Sequence, residues 1–219
     1  MPLKLYAHPF SSYCQKALIA LYENELAFEY LQLGPDHPAI GREFARLWPI
    51  GRFPILLDGE QLVLEATVII EHLALHHAGS VQLLPADSRA ALPVRMLDRF
   101  FDNYVMAPMQ RIVGDALRAP DERDSKGVED ARALLDKAYA WLEAHLRGRT
   151  WASDEGFSLA DCAAAPSLFY ADWVHPVPER LGNVRSYRQR LLARPSFARA
   201  VDEARPHRPF FLLGAPDRD

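Results

Sequence analysis

Gly51-Arg52-Phe53-Pro54-Ile55-Leu56-Leu57-Asp58-Gly59-Glu60, running on through Gln61-Leu62-Val63-Leu64 into Glu65-Ala66-Thr67, is the stretch that decides the fold. A proline opens a short apolar strand, an Asp-Gly turn follows, and a second strand leads into an acidic residue at the start of a helix. Pro54 lacks a backbone donor and permits a cis peptide. Phe53 before it is held extended. Its N–H and C=O are thereby offered to an outside peptide as a sheet edge would offer them. Glu65 stands beside the free N–H groups of a helix N-terminus. The pattern describes a site for something short, extended and peptide-like.

Upstream, Lys4-Leu5-Tyr6 reads as a strand and Ser12 to Tyr22 as a helix with Ala17, Leu18 and Leu21 on one face. Phe28–Leu33 reads as a second strand, and residues 36–47 as a short helix bounded by Pro35, Pro38 and Pro49. Glu65 to His77 reads as a helix with Ile69, Ile70 and Leu73 at helical spacing. The order is β-α-β-α-β-β-α.

Downstream, Ala78-Gly79-Ser80 through Ser88 reads as a connector rich in Gly, Pro and Ser. Almost everything after it reads as helix. Residues 89–118 form one long helix that Pro108 should kink or break. Ala131, Leu134, Leu135, Ala138, Trp141, Leu142 and Leu146 trace an apolar stripe. Ser158-Leu159-Ala160-Asp161 is a capping box with Asp in place of Glu, flanked by Phe157 and Cys162 at staple positions. Two further helices are predicted over 181–193 and 196–204, then an irregular tail after Pro206. The predicted domains are 1–78, a linker 79–88, and 89–219.

With 219 residues, 49% hydrophobic and 25% charged, the chain suits a globular protein of one large or two small domains. The net charge of −4 argues against a nucleic-acid partner. The excess lies in residues 1–78, with 5 Lys/Arg against 9 Asp/Glu, and the rest balances. Two cysteines, Cys14 and Cys162, are too few for a disulfide framework, which points to a reducing, cytoplasmic setting. No signal peptide and no membrane span are expected.

Three motifs together carry a resemblance over nearly the whole chain. They are His8-Pro9-Phe10-Ser11-Ser12-Tyr13-Cys14-Gln15-Lys16, Pro49-Ile50-Gly51-Arg52-Phe53-Pro54-Ile55-Leu56, and Phe157-Ser158-Leu159-Ala160-Asp161. In this order and spacing the chain resembles the cytosolic glutathione transferase superfamily. The second motif is similar to that family's NPxGxVPxL loop, and the Ser-Ser start looks most like the serine-containing zeta type. The resemblance implies an α/β thioredoxin-like N-terminal domain followed by an all-α helical-bundle C-terminal domain. It also implies glutathione as co-substrate, a small apolar electrophile as second substrate, chemistry of the detoxification type, and a homodimer. Two positions depart from the pattern. Trp48 stands where Asn is usual, and Ala66 replaces the serine whose hydroxyl helps hold the γ-glutamyl carboxylate in the family.

Glutathione presents a thiol near pKa 8.5 by analogy with free cysteine, and only its thiolate is nucleophilic. A hydroxyl aimed at the sulfur stabilises the anion, and a helix N-terminus adds a favourable dipole. By the resemblance, Ser11 is the leading thiolate partner, with Ser12 behind it and Tyr6 a distant third; read alone, either serine is simply an N-cap. Cys14 sits at the second position of a Cys-x-x-Cys whose first cysteine is absent, and reads as a buried, inert thiol. The resemblance assigns Phe53 and Pro54 to the cysteinyl unit, Glu65 to the γ-glutamyl ammonium and Ala66 to its carboxylate through backbone N–H. Arg52, ahead of Arg42 and His37, is the expected glycyl cation. Tyr104, Met106, Met109 and Arg111 around Pro108 are the expected electrophile wall. His72, His76 and His77 invite a metal reading, since His72 and His76 lie four residues apart, but no third ligand of fitting position appears, so no metal is expected and the three read as solvated or interface residues of the helix.

Alternative activities remain open at this point: glutathione-dependent isomerisation or dehalogenation, or a non-catalytic transferase-like binding module, for which Ala66 and Trp48 are the motive.

Overall fold

The structure is a computed structural model that describes residues 2–77, 79–153 and 156–219. Ala78, with which the predicted connector begins, lies outside the described residues.

Strands β1 (Leu3–Ala7), β2 (Phe28–Gln32), β3 (Ile55–Asp58) and β4 (Gln61–Leu64) form one sheet in the order β2-β1-β3-β4. β1 and β2 run parallel, and the other two pairs are antiparallel. The predicted third strand began at Phe53; the ladder begins at Ile55, opposite Leu64 and Tyr6, because Pro54 has no donor to give it. The Phe53–Pro54 peptide is cis. Period-two alternation sorts the core. Leu3, Leu5 and Ala7 of β1 face α1 (Ser12–Glu23) and α3 (Ala66–His76), while Tyr6 faces Phe44 of α2 (Pro38–Leu47). Helices therefore cover both faces of the sheet, as a thioredoxin-like domain requires.

The helical domain comprises α4 (Ser88–Phe100), α5 (Ala107–Ala116), α6 (Ser125–His145), α7 (Leu159–Val174), α8 (Gly182–Leu192) and α9 (Pro195–Ala204). Residues 205–210, placed in the irregular tail from Pro206 onward, form a 3-10 turn. The single long helix predicted for 89–118 is interrupted by a π-helical turn, Phe101–Met106. Pro108 has no N–H for the carbonyl four residues back, and the chain widens ahead of it: Ala107 N–H reaches the Asp102 carbonyl, five residues away.

α7 is buried along nearly its whole length, and its start is fixed by the expected box. Asp161 is fully buried; one carboxylate oxygen accepts from Ser158 N–H (2.9 Å) and Ser158 Oγ (3.0 Å), the other from Ala152 N–H (2.9 Å) and Tyr187 Oη (2.6 Å). Phe157 and Cys162 are buried in the same core.

The two domains meet through α1. Nine of its residues are buried, because the sheet covers one side and α7 and α9 cover the other. Gln15 donates to Pro9 O and to Tyr170 Oη, both at 3.0 Å. Lys16 enters an ion cluster with Asp98 and Asp102 of the helical domain. This anchoring sets the N-terminus of α1 on the seam between the domains.

Candidate active site

A cleft of about 580 Å³ opens along that seam. One wall comes from the sheet domain. Trp48 caps α2, and a turn closed by Gly51 N–H to Trp48 O (2.9 Å) delivers Arg52 and Phe53 to the cleft. Gly51 sits at φ 71°, where a side chain would be strained. Phe53 and Pro54 lie outside the ladder, so their peptide groups are not part of the sheet pairing.

Glu65 and Ala66 form the next part of the wall. The first intrahelical bond of α3 is Ile69 N–H to Glu65 O (2.9 Å), so the N–H groups of Ala66, Thr67 and Val68 have no helical acceptor. Glu65 is held at φ 70°, an uncommon conformation for a side-chain-bearing residue that costs about 1–3 kcal/mol. Its carboxylate is exposed and makes no capping bond.

Ser11 is the N-cap of α1, half-buried at the cleft, with its Oγ accepting from Cys14 N–H at 3.4 Å. Ser12 is buried, outside the cleft lining, and its Oγ accepts from Gln110 Nε2 at 3.1 Å. Cys14 is fully enclosed, and burial pushes its thiol up to about 12, so it is protonated and inert at neutral pH. Tyr6 is wholly buried on Phe44, away from the cleft.

Several lining residues escaped the sequence reading. Tyr13 is half-buried, and burial with the nearby Asp102 carboxylate pushes its phenol up to about 12, keeping it a neutral donor. Arg99, Asp102, Asn103, Ala107 and Gln110 supply the wall from the helical domain. Their signal was the polar row of an interrupted helix, and that row becomes legible only once the π turn is known.

The expected electrophile wall is corrected. Met106 and Met109 are buried in the helical core at 0% and 2% exposure. Tyr104 packs on Phe100 with ring centroids 5.5 Å apart, and Arg111 pairs with Asp124 at 3.1 Å. None of the four lines the cleft. The physical reason is twofold. The π turn shifts the register by about one residue, roughly 100°. The methionines also go where apolar burial is greatest, beneath α6 and α7, leaving the polar row to the cleft. Of the expected glycyl cations Arg52 lines the cleft, and Arg42 and His37 do not. Thr67 also turns away: its hydroxyl accepts from Lys16 Nζ at 2.9 Å and donates to Asp98 at 3.0 Å.

The cleft thus combines a hydroxyl at one helix N-terminus, free N–H groups at another, cations at Arg52 and Arg99, and anions at Glu65 and Asp102. Such a set suits an extended, zwitterionic peptide. A second groove, about 650 Å³ between β2 and α9, is larger but carries no helix N-terminus; its Tyr22, Arg199 and Glu203 satisfy one another.

Sequence profiles for the glutathione S-transferase N-terminal domain and C-terminal domain match residues 5–80 and 100–195. Glutathione S-transferase 3 of Zea mays is 30% identical over 215 residues, covering 91% of this chain and 93% of the relative. A stringent starvation protein A homolog of Coxiella burnetii is 24% identical over 208 residues, 92% of each chain. Among solved structures, a Methylobacterium radiotolerans glutathione S-transferase in complex with glutathione sulfonate superposes with a TM-score of 0.79 at 27% identity, covering 92% of this chain and 95% of that one. The sheet with helices on both faces, the helical domain that follows and a full-length relative at this identity lead to one conclusion: the chain belongs to the glutathione S-transferase family of enzymes.

Proposed function

We propose that the cleft binds glutathione as its thiolate and transfers it to a small electrophile. The observation that carries this reading is the convergence of Ser11, Phe53, Glu65 and the start of α3 on one cleft. Glutathione lies extended along Phe53-Pro54, its cysteinyl amide paired with the Phe53 backbone. Glu65 takes the γ-glutamyl ammonium, and the N–H groups of Ala66 and its neighbours take the carboxylate. Arg52 takes the glycyl carboxylate. Ser11 donates to the sulfur, aided by the dipole of α1. The sulfur then attacks the electrophile, and the leaving group departs toward the helical wall.

The test is a thiolate absorbance titration of bound glutathione with wild type and Ser11→Ala. A lower thiolate fraction in the variant supports the assignment; equal fractions remove Ser11 from the mechanism.

Arg99, Asn103 and Gln110 make the second-substrate side more polar than the apolar wall expected from sequence. That polarity favours electrophiles bearing an anionic or hydrogen-bonding group, and with them the isomerase or dehalogenase alternative. Turnover of a maleyl or halo-acid substrate exceeding that of a plain aromatic halide would select it. The non-catalytic alternative draws support from Ala66 and from the stringent starvation relative; an absence of heat on titration with glutathione would favour it.

In this reading residues 1–78 form the glutathione-binding domain, 79–88 the linker and 89–219 the electrophile domain. The protein works in the cytoplasm as a homodimer, with neither nucleic acid nor membrane as partner. Val68 and Leu75 on α3 and Leu92 and Met96 on α4 are exposed apolar side chains suited to a subunit contact. Among the described residues no helix is long and apolar enough to cross a membrane. Sedimentation at micromolar concentration reads the oligomeric state directly.

A further inference from the structure

We propose that Asp58, His72 and His77 form a binding site for a divalent transition cation of the Zn²⁺ type, separate from the thiol cleft. Sequence spacing drew attention to His72 and His76 and found no third ligand beside them. The fold supplies a different trio. Asp58 Oδ2 lies 2.8 Å from His72 Nε2 and 2.6 Å from His77 Nε2, and one ligand atom from each residue falls within 4.8 Å of the others. His76 stands outside the trio, its ring packed on His72 at 4.5 Å.

Two imidazoles and a carboxylate are the donor set that borderline divalent cations prefer. Every ligand sits on a fixed element. Asp58 ends β3, paired with Leu3 of β1 and Gln61 of β4. His72 is buried on α3. His77 is the C-cap of that helix. On a continuing helix, residues five apart point about 140° away from each other. The cap backbone, φ −132° and ψ 66°, departs from the helix and lets His77 meet the same carboxylate.

The charge setting also suits a cation. The last carbonyls of α3 present the negative end of its dipole. The His72 side chain is 6% exposed, His77 29% and Asp58 22%, so the trio is walled on one side and open on the other, where water completes the shell. A tetrahedral shell spaces ligand atoms about 3.3 Å apart, so small side-chain rotations, with each Nε2 proton lost to water or shifted to Nδ1, replace the two hydrogen bonds by metal bonds.

α3 runs about 16 Å from Ala66, in the cleft, to His76 beside this trio. A cation here clamps the β3–β4 hairpin to α3, the two elements that frame the glutathione side of the cleft. Its role is structural, and it takes no part in the thiol chemistry.

The test titrates ZnCl₂ into chelator-treated, dialysed full-length protein by calorimetry, with Co²⁺ absorption as a second probe of coordination. Wild type is expected to bind one equivalent and to melt higher with Zn²⁺ present. Asp58→Asn and His77→Ala are expected to weaken binding by at least about tenfold and to abolish the melting shift. His76→Ala should bind as wild type does. Since Asp58 also belongs to the hairpin turn, the part-exposed His77→Ala variant carries the test if Asp58→Asn does not fold. No saturable binding in wild type, equal binding by His77→Ala, or an equal loss in His76→Ala would overturn the assignment.

Discussion

Lys16 Nζ lies 2.6 Å from Asp98 Oδ1, with 0% and 1% of the two side chains exposed. The same ammonium stands 2.8 Å from Asp102, which lines the cleft. Arg99 bridges the two carboxylates from the more exposed side, at 2.6 and 2.5 Å. One enclosed cation therefore ties α1, which carries Ser11, to the helical wall of the cleft.

Lys16→Met should leave two buried carboxylates short of their partner and destabilise the protein by about 3–5 kcal/mol. Arg99 remains nearby, so the lower end is expected. Urea denaturation measures the loss, and an unchanged midpoint would show that the cluster contributes nothing.

Ser11→Ala should lower turnover by about 10²–10³ if the hydroxyl is the sulfur's donor. It should also cost about 1 kcal/mol of stability through the lost N-cap. Tyr13→Phe is the control, since its phenol also lines the cleft as a neutral donor. A large loss in Tyr13→Phe with little in Ser11→Ala would move the role to the phenol.

Ala66→Ser restores a hydroxyl at the first residue of α3, where the side chain is nearly buried at the cleft. One charge-assisted hydrogen bond of roughly 1.5–3 kcal/mol corresponds to about tenfold or more in affinity. Calorimetry with glutathione should show that tightening. Unchanged affinity would place the γ-glutamyl carboxylate elsewhere.

Alkaline pH should destabilise the fold. Burial raises the Cys14 thiol to about 12 and raises the Cys162 thiol as well. The native state favours the protonated thiols, so their stabilising effect is complete below the unfolded value near 9 and is lost as pH rises through the native one. Each thiol contributes a slope of at most about 1.4 kcal/mol per pH unit in that window. Urea midpoints at about pH 8 and about pH 10 compare the two regimes. Equal midpoints would contradict the enclosure of both cysteines.

The strand–turn–strand at Phe53–Leu64, the α1 start at Ser11 and the box at Ser158–Asp161 were legible because each rests on contacts a few residues apart. Alternation, a proline and an N-cap act locally, and the tertiary structure had no reason to override them. The helical wall was misread for the opposite reason. Pro108 announced a break, but nothing local said that the break would be a π turn, or that Met106 and Met109 would go to the core while Arg99, Asn103 and Gln110 faced the cleft.

Taken alone, the sequence determined the β-α-β-α-β-β-α order of the first domain, the two-part architecture and the strand that follows Pro54. Those features follow from backbone geometry and hydrophobic period. Only the tertiary structure decided which hydroxyl and which cations share the cleft, how Lys16 is neutralised, and that Asp58 meets His72 and His77. These depend on groups far apart in the chain, whose side chains come together only when burial and charge are settled over the whole fold at once.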